Sequence, residues 1–255
     1  MNWEDLSTVD LDNFDRETPV VLNVAAIEQH GPHLPVSVDA DIGEFFLKEL
    51  NKRLGDQVLT LPCVKVGCSD HHMDFAGSLT VTHEAFMNYV LGILESVLHH
   101  GFKNILILNS HGGNNAIGKV IAEKLGAKYG KSARILFTAW WRAAGEQLTS
   151  ISDTGKLGTG HACEFETSVM LLAQPQKIKM ERVPKGLQFE QVGEHYDAGL
   201  SGGNSVDYIR SMKRISGGSG VVGDANTASA KKGQMITDVV INSLSKIVTE
   251  MRELP

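Results

Sequence analysis

The sequence predicts an α/β fold: a single domain spanning residues 1–255, with a mainly parallel sheet flanked by helices on both faces. Three observations predict it. Short runs such as Asn-Ile-Leu-Ile-Leu-Asn at 104–109 are apolar throughout their middle, as strands buried on both faces are. Segments with apolar residues at helical spacing follow these runs. Two of the runs lead directly into loops rich in His, Asp, Glu, Asn and Gly, beyond the carboxyl ends of strands, where such sheets bind ligands.

Taken in order, Pro19 to Ala26 is apolar and β-branched at several positions and reads as a strand. Asp39 to Leu54 carries Ile42, Phe45, Phe46, Leu47, Leu50 and Leu54 at helical spacing. Val58 to Val66 is the next strand. His83 to His100 repeats the helical pattern, with Thr82 placed to cap its start and Gly101 to end it. The strand 104–109 follows, then a helix over 115–129, a strand over 133–139, and helices over 164–173 and roughly 227–252. Between Gln174 and Gly223 the pattern is irregular, with Gly199, Gly202, Gly203, Gly217, Gly218 and Gly220, and reads as long loops.

Of the ionisable residues, 24 are basic and 30 acidic, for a net charge of −6. The charges are mixed in sign with no basic stripe, which argues against nucleic acid or an anionic membrane as partner. No apolar run reaches the roughly 20 residues that span a bilayer, and Met1 to Asp15 has no apolar signal core. A cytoplasmic protein is expected. Cys63, Cys68 and Cys163 form no CxxC pair, so no disulfide framework is expected.

The run Glu28-Gln29-His30-Gly31-Pro32-His33-Leu34-Pro35, with Asp39 four residues on, concentrates carboxylates and imidazoles after a strand. Gly31, Pro32 and Pro35 break regular structure, so ligands close in sequence can converge. Oxygen and nitrogen ligands of this kind suit zinc, manganese or iron. Asp39 would suit a carboxylate shared by two metals, although a helix cap is an alternative use of it. His111 lies in Asn109-Ser110-His111-Gly112-Gly113-Asn114. Gly112 and Gly113 let backbone approach a substrate, and their amides could stabilise an oxyanion. A phosphate cradle is a further reading of this loop, but the P-loop spacing is missing. His161-Ala162-Cys163-Glu164-Phe165-Glu166 opens a helix. His161 could act as a general acid, and Glu164 and Glu166 point in different directions, so one of them faces the site. His72, beside His71, and Trp140, at the end of a strand, are candidates for lining a small-molecule pocket.

Together these segments resemble the creatininase family of metal-dependent amidohydrolases. The run 28–35 with Asp39 is similar to the family's first motif, 109–114 to its second, and 161–168 to its third. Ser69 to Ser78 is similar to a pocket loop, and Gly220 through Gly233 to a C-terminal element. The resemblance implies a two-metal site, often in a hexamer, with Glu28, His30, Asp39 and His111 as ligands. It also implies that His161 assists proton transfer to a leaving nitrogen. One departure matters: in creatininase itself a metal-binding glutamate stands where this chain has Gly113, and Glu166 is the candidate replacement. Ala76, His71 and Ala225 replace a usual proline, glutamate and proline. The expected protein is a homo-oligomeric hydrolase using two divalent ions, zinc first, on a non-peptide C–N bond of a cyclic amide or formamide-like molecule. His161 and Glu164 are its expected catalytic residues. A metallopeptidase or deformylase on the same site, and a metal-binding protein without turnover, are the alternatives.

Overall fold

Four strands form the main sheet: β1 (Val20–Val24), β2 (Leu59–Thr60), β3 (Asn104–Asn109) and β4 (Arg134–Ala139). All neighbours pair in parallel, in the order β2-β1-β3-β4. This is a computed structural model; it describes residues 1–189, 193 and 206–254, apart from the Lys156 side chain. The expected loop glycines Gly199, Gly202 and Gly203 lie outside the described residues.

The period of two along each strand sorts side chains between two cores. Val20, Leu22 and Val24 of β1 and Ile105 and Ile107 of β3 meet α2 (His83–His99) and α3 (Asn115–Tyr129), through Phe86, Val90, Leu94, Ile117, Ile121 and Leu125. Val21, Leu106 and Leu108 point the other way. They join α1 (Val38–Leu54), α4 (Glu164–Ala173) and α5 (Ala230–Glu250), through Phe46, Leu50, Val169, Ile236 and Val240. The expected two-sided cover is therefore present. Thr82 caps α2 by accepting from Ala85 N at 3.2 Å, and Gly101 leaves it with φ +88°. No helix among the described residues is long and apolar enough to cross a membrane.

The expected strand over 58–66 is shorter than its pattern. The regular ladder ends at Thr60, just before Pro62, whose fixed φ and missing N–H leave it no place in a longer two-sided strand. Pairing with β1 continues through Leu61 N to Val21 O and resumes at Val64, whose N donates to Asn23 O and whose O accepts from Ala25 N. A second, two-stranded antiparallel sheet joins β5 (Thr159–His161) to β6 (Val222–Gly223). It holds His161 over the carboxyl ends of the main strands. Because the chain passes from β1 to β2 on one side and returns to β3 on the other, the loops after β1 and β3 part at the sheet's topological switch point. That is where α/β sheets place ligands.

Candidate metal centre and active site

The loop after β1 closes on itself. Glu28 N donates to Val36 O at 2.9 Å, Gln29 N to Ser78 Oγ at 3.1 Å, and Gly31 turns with φ +65°. The turn returns the chain to Ser37, which takes the position before α1, so Asp39 falls in the first helical turn rather than capping it. The loop after β3 is set by its own amides. Asn109 Oδ1 accepts from His111 N at 3.1 Å, and Asn109 Nδ2 donates back to His111 O. Asn114 ties three loops together: its Nδ2 donates to Ala25 O at 3.0 Å and its Oδ1 accepts from Cys68 N at 3.0 Å. Asn23, buried in β1, adds Nδ2 donations to Leu108 O and Ser110 Oγ.

These loops bring Glu28, His30, Asp39, His111 and Glu166 into one buried cluster. Three imidazoles share one arrangement. His30 Nδ1 meets Glu28 O at 3.1 Å, His111 Nε2 meets Cys68 O at 3.0 Å, and His161 Nε2 meets Gln29 O at 2.7 Å. A backbone carbonyl only accepts, so these contacts assign the proton of the neutral ring to that nitrogen and leave the other nitrogen bare, to take up a metal ion or a second proton. Each bare nitrogen faces carboxylates. His30 Nε2 is 3.2 Å from Asp39 Oδ1 and 3.9 Å from Glu166 Oε2. His111 Nδ1 is 3.1 Å from Glu28 Oε1 and 3.2 Å from Asp39 Oδ2. His161 Nδ1 is 3.7 Å from Glu28 Oε1.

Lone pairs facing lone pairs repel unless a proton or a metal ion lies between them. Among the described residues Glu28 Oε2, His30 Nε2 and Asp39 Oδ2 are buried without a hydrogen-bond partner, a state native proteins rarely leave unexplained. With no metal ion among them, these groups favour taking up protons instead. Burial opposes the His30 imidazolium, yet Asp39, with Glu166 and Glu28 behind it, outweighs burial and raises His30 to about 9. Burial raises the Glu166 carboxyl to about 7, against the pull of His30. For His161 burial dominates, and with the nearby His30 it holds the ring well below its ordinary value and neutral. Anchored imidazoles and carboxylates with converging free atoms fit divalent zinc, manganese or iron.

The other expected site residues fall in different places. His72 is buried behind Glu28: its Nε2 is 3.3 Å from Glu28 Oε1, and its Nδ1 lies 3.0 Å from Gln29 Nε2. It orients the carboxylate rather than lining open space. Gly112 borders open space, whereas a Cβ on Gly113 would fall 2.2 Å from Cys68 O and 2.4 Å from His111 Nε2. Position 113 is thus bare because the loops pack there. Glu164 is not brought to the cluster. Its Oε1 accepts from Asp153 N at 3.1 Å and its Oε2 from Thr227 Oγ1 at 2.8 Å, with Lys232 Nζ 3.6 Å away. From the same helical turn Glu166 points inward and accepts from Ala162 N. Ala162 holds φ +52°, a strained value for a non-glycine residue. Trp140 is not at the site either: it is 1 % exposed and packs in the core against Phe46, with centroids 5.6 Å apart. Its place at a strand end pointed outward in the sequence, but the chain enters the short helix Trp140–Ala143 there and turns the indole inward. Residues the sequence did not single out are Asn114, which holds the loops, and Lys232, buried beside Glu164 and paired with Asp153 at 2.7 Å.

The creatininase family profile, described as creatinine amidohydrolase, matches residues 1–248. A 3-dehydro-scyllo-inosose hydrolase of Thermotoga maritima is 26% identical over 260 residues, covering 92% of this chain and 78% of that protein. A mycofactocin precursor peptide peptidase of Mycobacterium ulcerans is 26% identical, covering 89% of this chain and 84% of its own. A creatinine amidohydrolase of Pseudomonas putida is 23% identical, covering 91% and 88%. Among solved structures, a mutant creatininase complexed with creatine superposes with TM-score 0.83 at 21% identity, covering 100% of this chain and 98% of the other. A mutant creatininase of Zn-Zn type and a structure described as creatininase Mn each give TM-score 0.80 at 21% identity, each covering 98% and 97%. The fold is shared with all three.

Proposed function

The chain belongs to the creatininase family of hydrolases, and from that premise we propose that it uses two divalent metal ions to hydrolyse a non-peptide C–N bond in a cyclic amide or formamide-like small molecule. The observation that carries this reading is the set of three imidazoles, each anchored by a carbonyl and each aiming a bare nitrogen at buried carboxylates. Glu28, His111 and Asp39 would hold one ion, and His30, Asp39 and Glu166 the other. Asp39 would be shared between them, since its two oxygens face His111 and His30 separately. The donor set admits zinc, with manganese or iron as alternatives. Two such ions supply Lewis-acid activation of water and of a substrate carbonyl.

The protein's own groups do the rest. His72 holds Glu28 in place from behind. His161 is the most exposed of the three anchored imidazoles, its side chain 12% accessible, and its bare Nδ1 is the atom that accepts a proton from the attacking water. The same atom returns that proton to the departing nitrogen, so His161 serves first as base and then as acid. Gly112, beside open space, is where backbone would approach the substrate. Glu164 has no part in this scheme.

A second reading, cleavage of a peptide bond on the same centre, draws support from the peptidase relative, which is 26% identical over 89% of the chain. A panel of cyclic ureides, lactams, formamides and short peptides, assayed with and without a chelator, separates the two. Turnover of a cyclic amide or formamide that a chelator abolishes is expected. Turnover confined to peptides favours the second reading, and chelator-insensitive turnover contradicts both. We further expect a homo-oligomer, a hexamer by family resemblance, which sedimentation would measure.

A further inference from the structure

One imidazole of the site is left without a task by this ligand set. His71 stands on the short turn Asp70–His72, next to the Cys68 carbonyl that anchors His111. A ring nitrogen of His71 and ligand atoms of Glu28 and His111 all lie within 4.8 Å of one another. Its ring stacks on that of His111, centroids 5.7 Å apart and planes 20° apart. Unlike His30, His111 and His161, it has no hydrogen bond to a backbone carbonyl among the described residues.

Gly113 is what makes this approach possible. A Cβ there would fall 2.9 Å from His71 Cε1, so any side chain at 113 competes with the His71 ring for the same space. The bare position and the extra imidazole are two halves of one local arrangement.

We propose that His71 is a further ligand of the ion held by Glu28, Asp39 and His111. The inference rests on the metallohydrolase reading above. Having no carbonyl anchor, His71 gives up more freedom on binding than the anchored rings and therefore holds the ion more loosely.

The test uses cobalt(II) as the probe. Wild type, His71→Ala and His71→Gln are titrated with cobalt(II) and followed by visible absorption, with circular dichroism reporting the fold. Both variants are expected to bind one ion as wild type does and the other with about 10- to 100-fold weaker affinity, the size of effect seen when a metal's supporting shell is lost. The visible band of the weakened ion is expected to fall as imidazole is exchanged for water. His71→Gln keeps a polar side chain in place should the alanine variant misfold. Wild-type affinity and spectrum in folded variants would overturn the role of His71 while leaving the two-metal reading intact. A wild-type protein that binds no cobalt would overturn both.

Discussion

His111 Nδ1 lies 3.1 Å from Glu28 Oε1, across the gap between loops that leave two adjacent parallel strands. Neither loop could form this contact alone. The sheet register, in which Val24 stands opposite Asn109, puts the two loops side by side. The far nitrogen of His111, held by the Cys68 carbonyl, then fixes which atom faces the carboxylate.

Metal removal should therefore destabilise the fold. Taking cations away leaves Glu28, Asp39 and Glu166 buried beside one another with too little positive charge. Thermal melts with and without chelator are expected to differ by about 3–4 kcal/mol per bound ion when free metal stands at 100 to 1,000 times its Kd. Adding back zinc or manganese should restore the transition. Identical melts would count against a metal centre.

Glu164 and Glu166 should separate cleanly. Glu166→Ala is expected to lose one ion and at least most of the activity. Glu164→Ala should keep the metal content of the wild type but lose about 1–3 kcal/mol of stability, because Asp153 N and Thr227 Oγ1 would lose a buried acceptor. Metal analysis beside urea unfolding reads both effects. Loss of metal in Glu164→Ala would contradict the assignment.

Neighbouring glycines should respond differently. Gly112→Ala meets nothing within 4 Å and should leave stability unchanged, whereas Gly113→Ala meets the Cys68 carbonyl at 2.2 Å. The latter is expected to cost about 1–3 kcal/mol, the range for overpacking, and to weaken metal binding through His111. Equal melting temperatures for the two variants would argue that the Cys68 loop is free to move.

Asn114→Ala tests the joint between loops. It leaves Ala25 O and Cys68 N buried without their partner, at a cost of about 1–3 kcal/mol. Because the Cys68 carbonyl anchors His111, metal affinity should fall by about tenfold as well. A stability loss with unchanged metal affinity would show that the loops hold the ligands independently.

Most of the scaffold was legible in the sequence because apolar pattern reports burial. The strand 104–109 and the helices 115–129 and 164–173 have the expected bounds, and the parallel sheet places both His-bearing loops at one end. Pro62 marked where the second strand would fail, yet its apolar neighbours concealed it. The β5–β6 pair was not legible, since Gly160 and Gly223 carry no alternating pattern and their pairing is long-range. At the site, residue types pointed to Glu28, His30 and Asp39, and the family resemblance added His111 and Glu166 as ligands. What they could not show is how each imidazole is held, because the anchors are backbone carbonyls with no identity in the sequence. The same limit left Glu164 and Glu166 unsorted and Trp140 on the wrong side of the strand end.

Metal content per folded chain, measured in wild type and Glu166→Ala after reconstitution with zinc, tests most directly a two-ion centre with Glu166 as a ligand. About two ions are expected in the wild type and about one in the variant. A wild type that retains none would contradict a two-ion centre.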